Sequence, residues 1–209
     1  MAAATWMKSA WIGGLLLAFA AFSAWYGGNG KPISNEEGAA LLERFKQVHA
    51  NPPPGEESFV ANIEEMIPLD DGKEFYAVNL EQLKEGEDAR SADQAYAKIV
   101  FPLLFERAGH PVIVSQRAGL MLGDYGRDVD RVAVVRYRSL RDMIEMTLEP
   151  TMVNGGDLKF ASLDHTEVFV TRPIISFVHV RFFVALIVLI VGLLGLRLID
   201  FIHNRRRPP

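Results

Sequence analysis

Apolar residues concentrate at the two ends of the chain, from Ser9 to Tyr26 and from Ile174 to Ile202. The first run holds no charge in 18 residues, and as a helix it reaches roughly 27 Å, close to the thickness of a bilayer's hydrocarbon. Trp6, Trp11, Trp25 and Tyr26 lie towards its ends, where amphipathic rings meet a headgroup layer. The second run has an uninterrupted apolar core, Phe182 to Leu196. Its flanks, His179 and Arg181 on one side and Arg197 and Asp200 on the other, complete a span by reaching to the interface. Arg197 and Asp200 stand at i, i+3 spacing and can meet on one helix face.

A cleaved signal peptide is the rival reading of the first run, since Lys8 precedes it and Ala18-Phe19-Ala20 or Ala21-Phe22-Ser23 offers a small-residue cleavage site. Under either reading the chain beyond Gly27 is exported. His203-Asn204-Arg205-Arg206-Arg207 follows the second run, and the positive-inside rule assigns such a cluster to the cytoplasm. The expectation is a bacterial cytoplasmic (inner) membrane protein with both termini cytoplasmic and a periplasmic middle.

Between the runs the periodicity changes repeatedly. Gly27-Gly28-Asn29-Gly30-Lys31-Pro32 reads as a joint, and Ser34-Asn35-Glu36-Glu37 as a capping box opening a helix to about His49. The prolines at 52–54 stop that helix. A short helix is expected over Ser58 to Met66, and a turn at Asp70-Asp71-Gly72. Glu74 to Leu80 alternates as a strand, Ser91-Ala92-Asp93-Gln94 is a second capping box before a helix to about Ala108, and Gly109 ends it. Strands over Pro111 to Arg117 and Arg131 to Arg138 flank a Gly-rich connection. Ser139 caps a helix to about Leu148, Asn154-Gly155-Gly156 forms a turn, and a last strand runs from about Phe160 to Val170. The order βαββαβ is the split βαβ, ferredoxin-like plait of an α+β domain.

The domain expectations are a transmembrane helix and joint over 1–30, a helical lead-in over 31–73, the ferredoxin-like domain over 74–172, a second transmembrane helix over 173–203 and a basic tail over 204–209. Charge sharpens the division. The chain carries a formal −4, yet Gly27 to Arg172 holds 16 Lys+Arg against 25 Asp+Glu, so the exported part is acidic while the ends are basic. An acidic domain is unsuited to nucleic acid, which needs a positive footprint. With no cysteine in the chain, disulfides, thiolate metal sites and cysteine nucleophiles are excluded.

The segments Phe75-Tyr76-Ala77-Val78, Tyr96 to Leu104, Ala108-Gly109-His110-Pro111-Val112 and Asp130 to Ser139 resemble the dimeric α/β-barrel superfamily, and within it an uncharacterised bacterial group. The resemblance covers about Glu74 to Thr171. It implies a four-stranded antiparallel sheet with helices on one face, two such sheets closing into a dimer. Relatives in that superfamily include haem-binding proteins and cofactor-free oxygenases, which draws attention to His165 on the last expected strand.

If Tyr76, Val78 and Leu80 face the helices, alternation puts Phe75, Ala77 and Asn79 on the opposite, barrel-facing side, joined by Ser115, Arg117, Arg136 and Asp164 or His165. Asn79, Arg117, Arg136 and His165 are the candidate ligand-binding set. Arginines there either pair with carboxylates or line a wet pocket for a polar ligand. Trp25, Tyr26, His179, Arg181, Arg197 and Asp200 are the candidate membrane-interface residues. The five histidines show no His-Glu-x-x-His spacing, so no metal site, cofactor or catalytic residue is assigned.

Two functions remain open. The first is a membrane-anchored accessory, scaffolding or assembly subunit, whose partners are the bilayer, a second copy of itself and other membrane proteins. Gly13-Gly14 or Gly192 and Gly195 would allow its helices to approach closely. The second is a small-ligand or haem-binding enzyme of the dimeric α/β-barrel type.

Overall fold

The computed structural model describes residues 2–51, 57–175 and 179–205; the proline break at 52–54 and the arginines at 206 and 207 lie outside them. Among the described residues it is an α+β protein with one four-stranded antiparallel sheet and seven α-helices. Two compact units are present, one of residues 1–26 with 175–209 and one of Gly27–Ile174.

The first unit pairs α1 (Ala2–Gly27) with α7 (Val180–Arg205). Thr5–Gly27 and Val180–His203 are long and apolar enough, by length and composition, to cross a membrane. The two helices run antiparallel. Lys8 meets Asp200 at 2.5 Å, and near the other end the Arg181 guanidinium lies 5.6 Å from the Tyr26 ring centroid. Asp200 thus pairs between helices, with Lys8. Gly192 and Gly195 make the close approach: the Trp11 indole donates to the Gly192 carbonyl (3.4 Å), and a Cβ on Gly195 would fall within the Trp11 ring. Gly13 and Gly14 meet nothing across the pair.

In the second unit the lead-in is part of the core. α2 (Asn35–Val48) is capped by Ser34, whose hydroxyl accepts from Glu37 N–H as expected of a capping box. α3 (Phe59–Met66) follows, then a short 3₁₀ turn at Ile67–Leu69. Ile33, Leu41, Phe45 and Ile63 share one buried cluster with Phe75, Leu140, Met143 and Ile144. Arg141 locks this arrangement, its guanidinium on the Glu37 carboxylate and on the Lys31 and Pro32 carbonyls. Arg141's hydrogen bonds hold Glu37 below the ordinary carboxylate range.

The sheet is built of β1 (Phe75–Leu83), β2 (His110–Gln116), β3 (Arg131–Tyr137) and β4 (Leu163–Thr171), in the order β2-β3-β1-β4. β1 lies between β3 and β4, with Phe75 opposite Tyr137 and Glu81 opposite both Arg131 and Thr166. α4 (Glu87–Glu106) joins β1 to β2; α5 (Leu140–Thr147) and α6 (Pro150–Ser162) join β3 to β4.

Three expectations are corrected. α4 starts at Glu87 behind Gly86 (φ +106), a turn before the supposed cap, so Ser91 and Asp93 are helix-interior residues. Asn154-Gly155-Gly156 is not a turn but the middle of α6. Gly155 lets α6 pack closely on α4, where a Cβ would press on the tip of Ile99, and that packing offsets the low helix propensity of glycine. The faces of β1 are also reversed: Phe75, Ala77, Asn79 and Glu81 lie under the helices, and Tyr76, Val78 and Leu80 on the open face. The polar drift along the covered face explains the misreading. Phe75 stacks on Tyr137 (5.3 Å between centroids), the Asn79 amide donates to the Ala133 carbonyl (3.0 Å), and Glu81 is ion-paired.

Both chain exits of this unit lie at one end of the sheet. Gly28 packs on Arg138 just past β3, and Thr171 ends β4 opposite Tyr76. The β2–β3 connection, 117–130, is at the opposite end, joining Gln116 to Arg131.

Gly72 (φ +71) closes the turn before β1 where a Cβ would overlap the Lys31 carbonyl, whereas Gly30 (φ +64) has open space. Gly72→Ala is expected to lower unfolding stability by about 3 kcal/mol and Gly30→Ala by about 1 kcal/mol, measured by denaturant unfolding of the full chain.

Candidate functional site

The helices stand off the covered face of the sheet and leave a cavity of about 690 Å³. Its floor is Ala77, Asn79 and Glu81 of β1, Ala133 and Val135 of β3, and Val168 and Val170 of β4. Small residues at 77 and 133 in the sheet centre make the room. Its walls come from α3, α4, α5 and α6, with Met66, Met143, Met146 and Met152 among them. Methionine side chains are unbranched and polarisable, so such walls adapt to varied shapes.

One end of the cavity is charged. Arg131 donates from Nε to Glu81 (2.5 Å) and from its two terminal nitrogens to both oxygens of Asp93 (2.8 and 2.7 Å). Asp93's hydrogen bonds, and then those of Glu81, hold the guanidinium above its already high range against the pull of burial. Glu81 is only 6% exposed. It accepts from Arg131 through Oε2, and among the described residues no donor reaches Oε1. Thr166, its cross-strand neighbour on β4, has a buried hydroxyl with no hydrogen-bond partner. The cluster carries two carboxylates against one guanidinium.

The residues expected to form a binding set do not converge. Asn79 lines the cavity, but on the face opposite to that assigned from the sequence. Arg136 belongs to the open face by register, yet it is 1% exposed and bound within the chain, to Glu74 (2.8 and 2.5 Å) and to the Ala108 carbonyl (2.6 Å). Ala108 adopts φ +56 at the α4–β2 turn; Arg136 is therefore a structural lock. Arg117 is exposed where the β2–β3 connection begins. Ser115 donates to the Val132 carbonyl (3.4 Å), and Asp164 and His165 are exposed on the edge strand. Sequence reasoning misses Glu81, Arg131, Thr166 and Asp93 because strand register brings the first three together and the packing of α4 on the sheet adds Asp93. The signal in the sequence was a Glu late in one strand and an Arg opening another, which pair directly once β1 and β3 are antiparallel.

No protein-family model matches the chain, and no curated protein does. Among solved structures it is similar to the crystal structure of the RPA0582 protein of unknown function from Rhodopseudomonas palustris, at 18% identity and a TM-score of 0.47 over 70% of this chain and 99% of that one. The methylated RPA0582 protein gives 17% identity and a TM-score of 0.48, over 71% and 99%.

Tyr137 borders the cavity with its phenol enclosed, and burial pushes its pKa up to about 12 from about 10. The folded state then holds the phenolic proton more tightly than the unfolded chain, so this stabilisation is complete below pH 10 and is lost as pH rises to 12. Tyr137→Phe is expected to flatten the fall in unfolding midpoint between pH 10 and 12, read by thermal melts across that range.

Proposed function

We propose that the chain is a membrane-anchored binding protein whose central domain, of ferredoxin-like fold, holds a small and mainly apolar molecule between its sheet and its helices. The observation that carries this is the cavity: about 690 Å³ is within the range of small-molecule sites, and its apolar walls with a few convergent polar groups have the composition of one. The fold assignment rests on the strand order β2-β3-β1-β4 with helical crossovers after β1 and β3. Membrane anchoring rests on the two apolar helices, whose antiparallel pairing through Lys8–Asp200 keeps both ends of the chain on one side. With the basic tail cytoplasmic, the domain is periplasmic.

A second reading, an accessory or scaffolding subunit, is favoured by the β2–β3 connection. Met121 (101% exposed), Leu122 (92%) and Tyr125 (101%) stand in solvent at the end of the sheet away from the chain exits. Three large apolar side chains displayed together on one connection form the kind of patch that marks a protein–protein contact. The open sheet face, with Val78, Leu80, Val132 and Val134, offers a further surface for a second copy.

Native mass spectrometry of the gently extracted full-length protein tests the first reading: a bound species of small-molecule mass is expected, and Ala133→Phe, which fills the cavity floor, should carry none. Equal spectra from the two proteins, both without a bound species, would refute it. For the second reading, the double variant M121S/Y125S should give a smaller extracted particle by light scattering at an unchanged melting temperature.

A further inference from the structure

The charged end of the cavity assigns a ligand class, an inference that rests on the binding reading above. A buried Glu–Arg–Asp cluster normally exhausts its hydrogen-bonding capacity internally, because every unsatisfied group away from water costs stability. Here three of the five guanidinium N–H groups are spent on the carboxylates, and Glu81 keeps one oxygen that none of them reaches. Arg131 gives its Nε–H and one N–H of each terminal nitrogen to Glu81 and Asp93, two carboxylates that together outweigh its charge. Glu81 Oε1 receives no donor from the described residues, and the Thr166 hydroxyl beside it on the next strand is buried with no partner. What this end offers a ligand is an excess of carboxylate charge and two oxygens, Glu81 Oε1 and the Thr166 hydroxyl.

Charge points the same way. Glu81, Asp93 and Asp157 line the cavity against Arg131 and Lys159, an excess of one negative group; Glu167, opposite Leu80, belongs to the open face. An anionic head group would meet two carboxylates and a guanidinium whose charge they already offset. A cationic donor would relieve the excess charge and fill the empty acceptor positions.

We propose that the cavity takes an amphiphilic primary amine, its ammonium on Glu81 Oε1 and the Thr166 hydroxyl and its apolar body against the methionine-rich walls. A compact ammonium has three donors, enough for both groups and for one further acceptor. Charge-assisted hydrogen bonds to the little-exposed Glu81 are stronger than a neutral alcohol could make.

The test is titration calorimetry of the full-length protein with three probes that share one body: 4-phenylbutylamine, 4-phenylbutanol and 4-phenylbutyrate. The amine is expected to bind at least tenfold more tightly than the alcohol, with no measurable binding of the carboxylate. Glu81→Gln keeps an acceptor for Arg131 and should bind the alcohol as before while losing the tenfold preference. Thr166→Val, at an edge strand that tolerates it, should weaken the amine several-fold and serves if Glu81→Gln fails to fold. Binding of the carboxylate as tight as the amine, or a preference unchanged in both variants, would overturn the ligand class and leave the binding reading intact. Absence of heat from all three, together with no bound species in the mass spectrum, would overturn both.

Discussion

A slip of one residue between β1 and β3 would turn Phe75, Ala77 and Glu81 out from under the helices and take Glu81 away from Arg131, since side chains alternate strictly along a strand. The register is therefore the constraint on which core and cavity both depend. At one end it is pinned by apolar contact, Phe75 stacked on Tyr137 within a cluster that includes Ile144 and Phe45. At the other it is pinned by charge, Glu81 on Arg131 and the Glu81 carbonyl accepting from Asp130 N–H. Any register that separates Glu81 from Arg131 is penalised, because the buried carboxylate would be left without its partner.

The covered face of β1 thus passes from aromatic to small to polar to charged over seven residues. That gradient divides the interior. Where the face is aromatic, helices α2, α3 and α5 pack directly on it; where it is small and then polar, α4 and α6 stand away and the cavity opens. The same strand makes the core at one end and the site at the other.

Much of the element order was legible from local signals. Ser34 and Ser139 announced the helices they cap, and the valine-rich run from Arg131 announced β3. The failures share a cause, which is that distant contacts decide them. Gly155 reads as a turn until Ile99 is seen to occupy the space its side chain would need. Asp93 reads as part of a cap until Arg131 is found across the cavity. Arg136 resembled an open-face ligand group because nothing local reveals that the Ala108 carbonyl and Glu74 close around it. The apolar helices at the two ends needed no such knowledge, since a long uncharged run is itself the signal; their pairing through Gly192 and Gly195 did.

Both exits of the central unit lie at one end of the sheet, with β4, an edge strand, running directly into the second exit at Thr171. The mechanical consequence is an unzipping geometry. Tension that separates the two exits loads the β4–β1 hydrogen bonds one at a time from Thr171 inwards, whereas a pull along the strands would load them together. Four residues in from that end, Glu167 faces Leu80, and one further in Thr166 faces Glu81. A lateral force at the exits would therefore reach the cavity's polar wall only after the apolar stretch at Val168 and Val170 has parted.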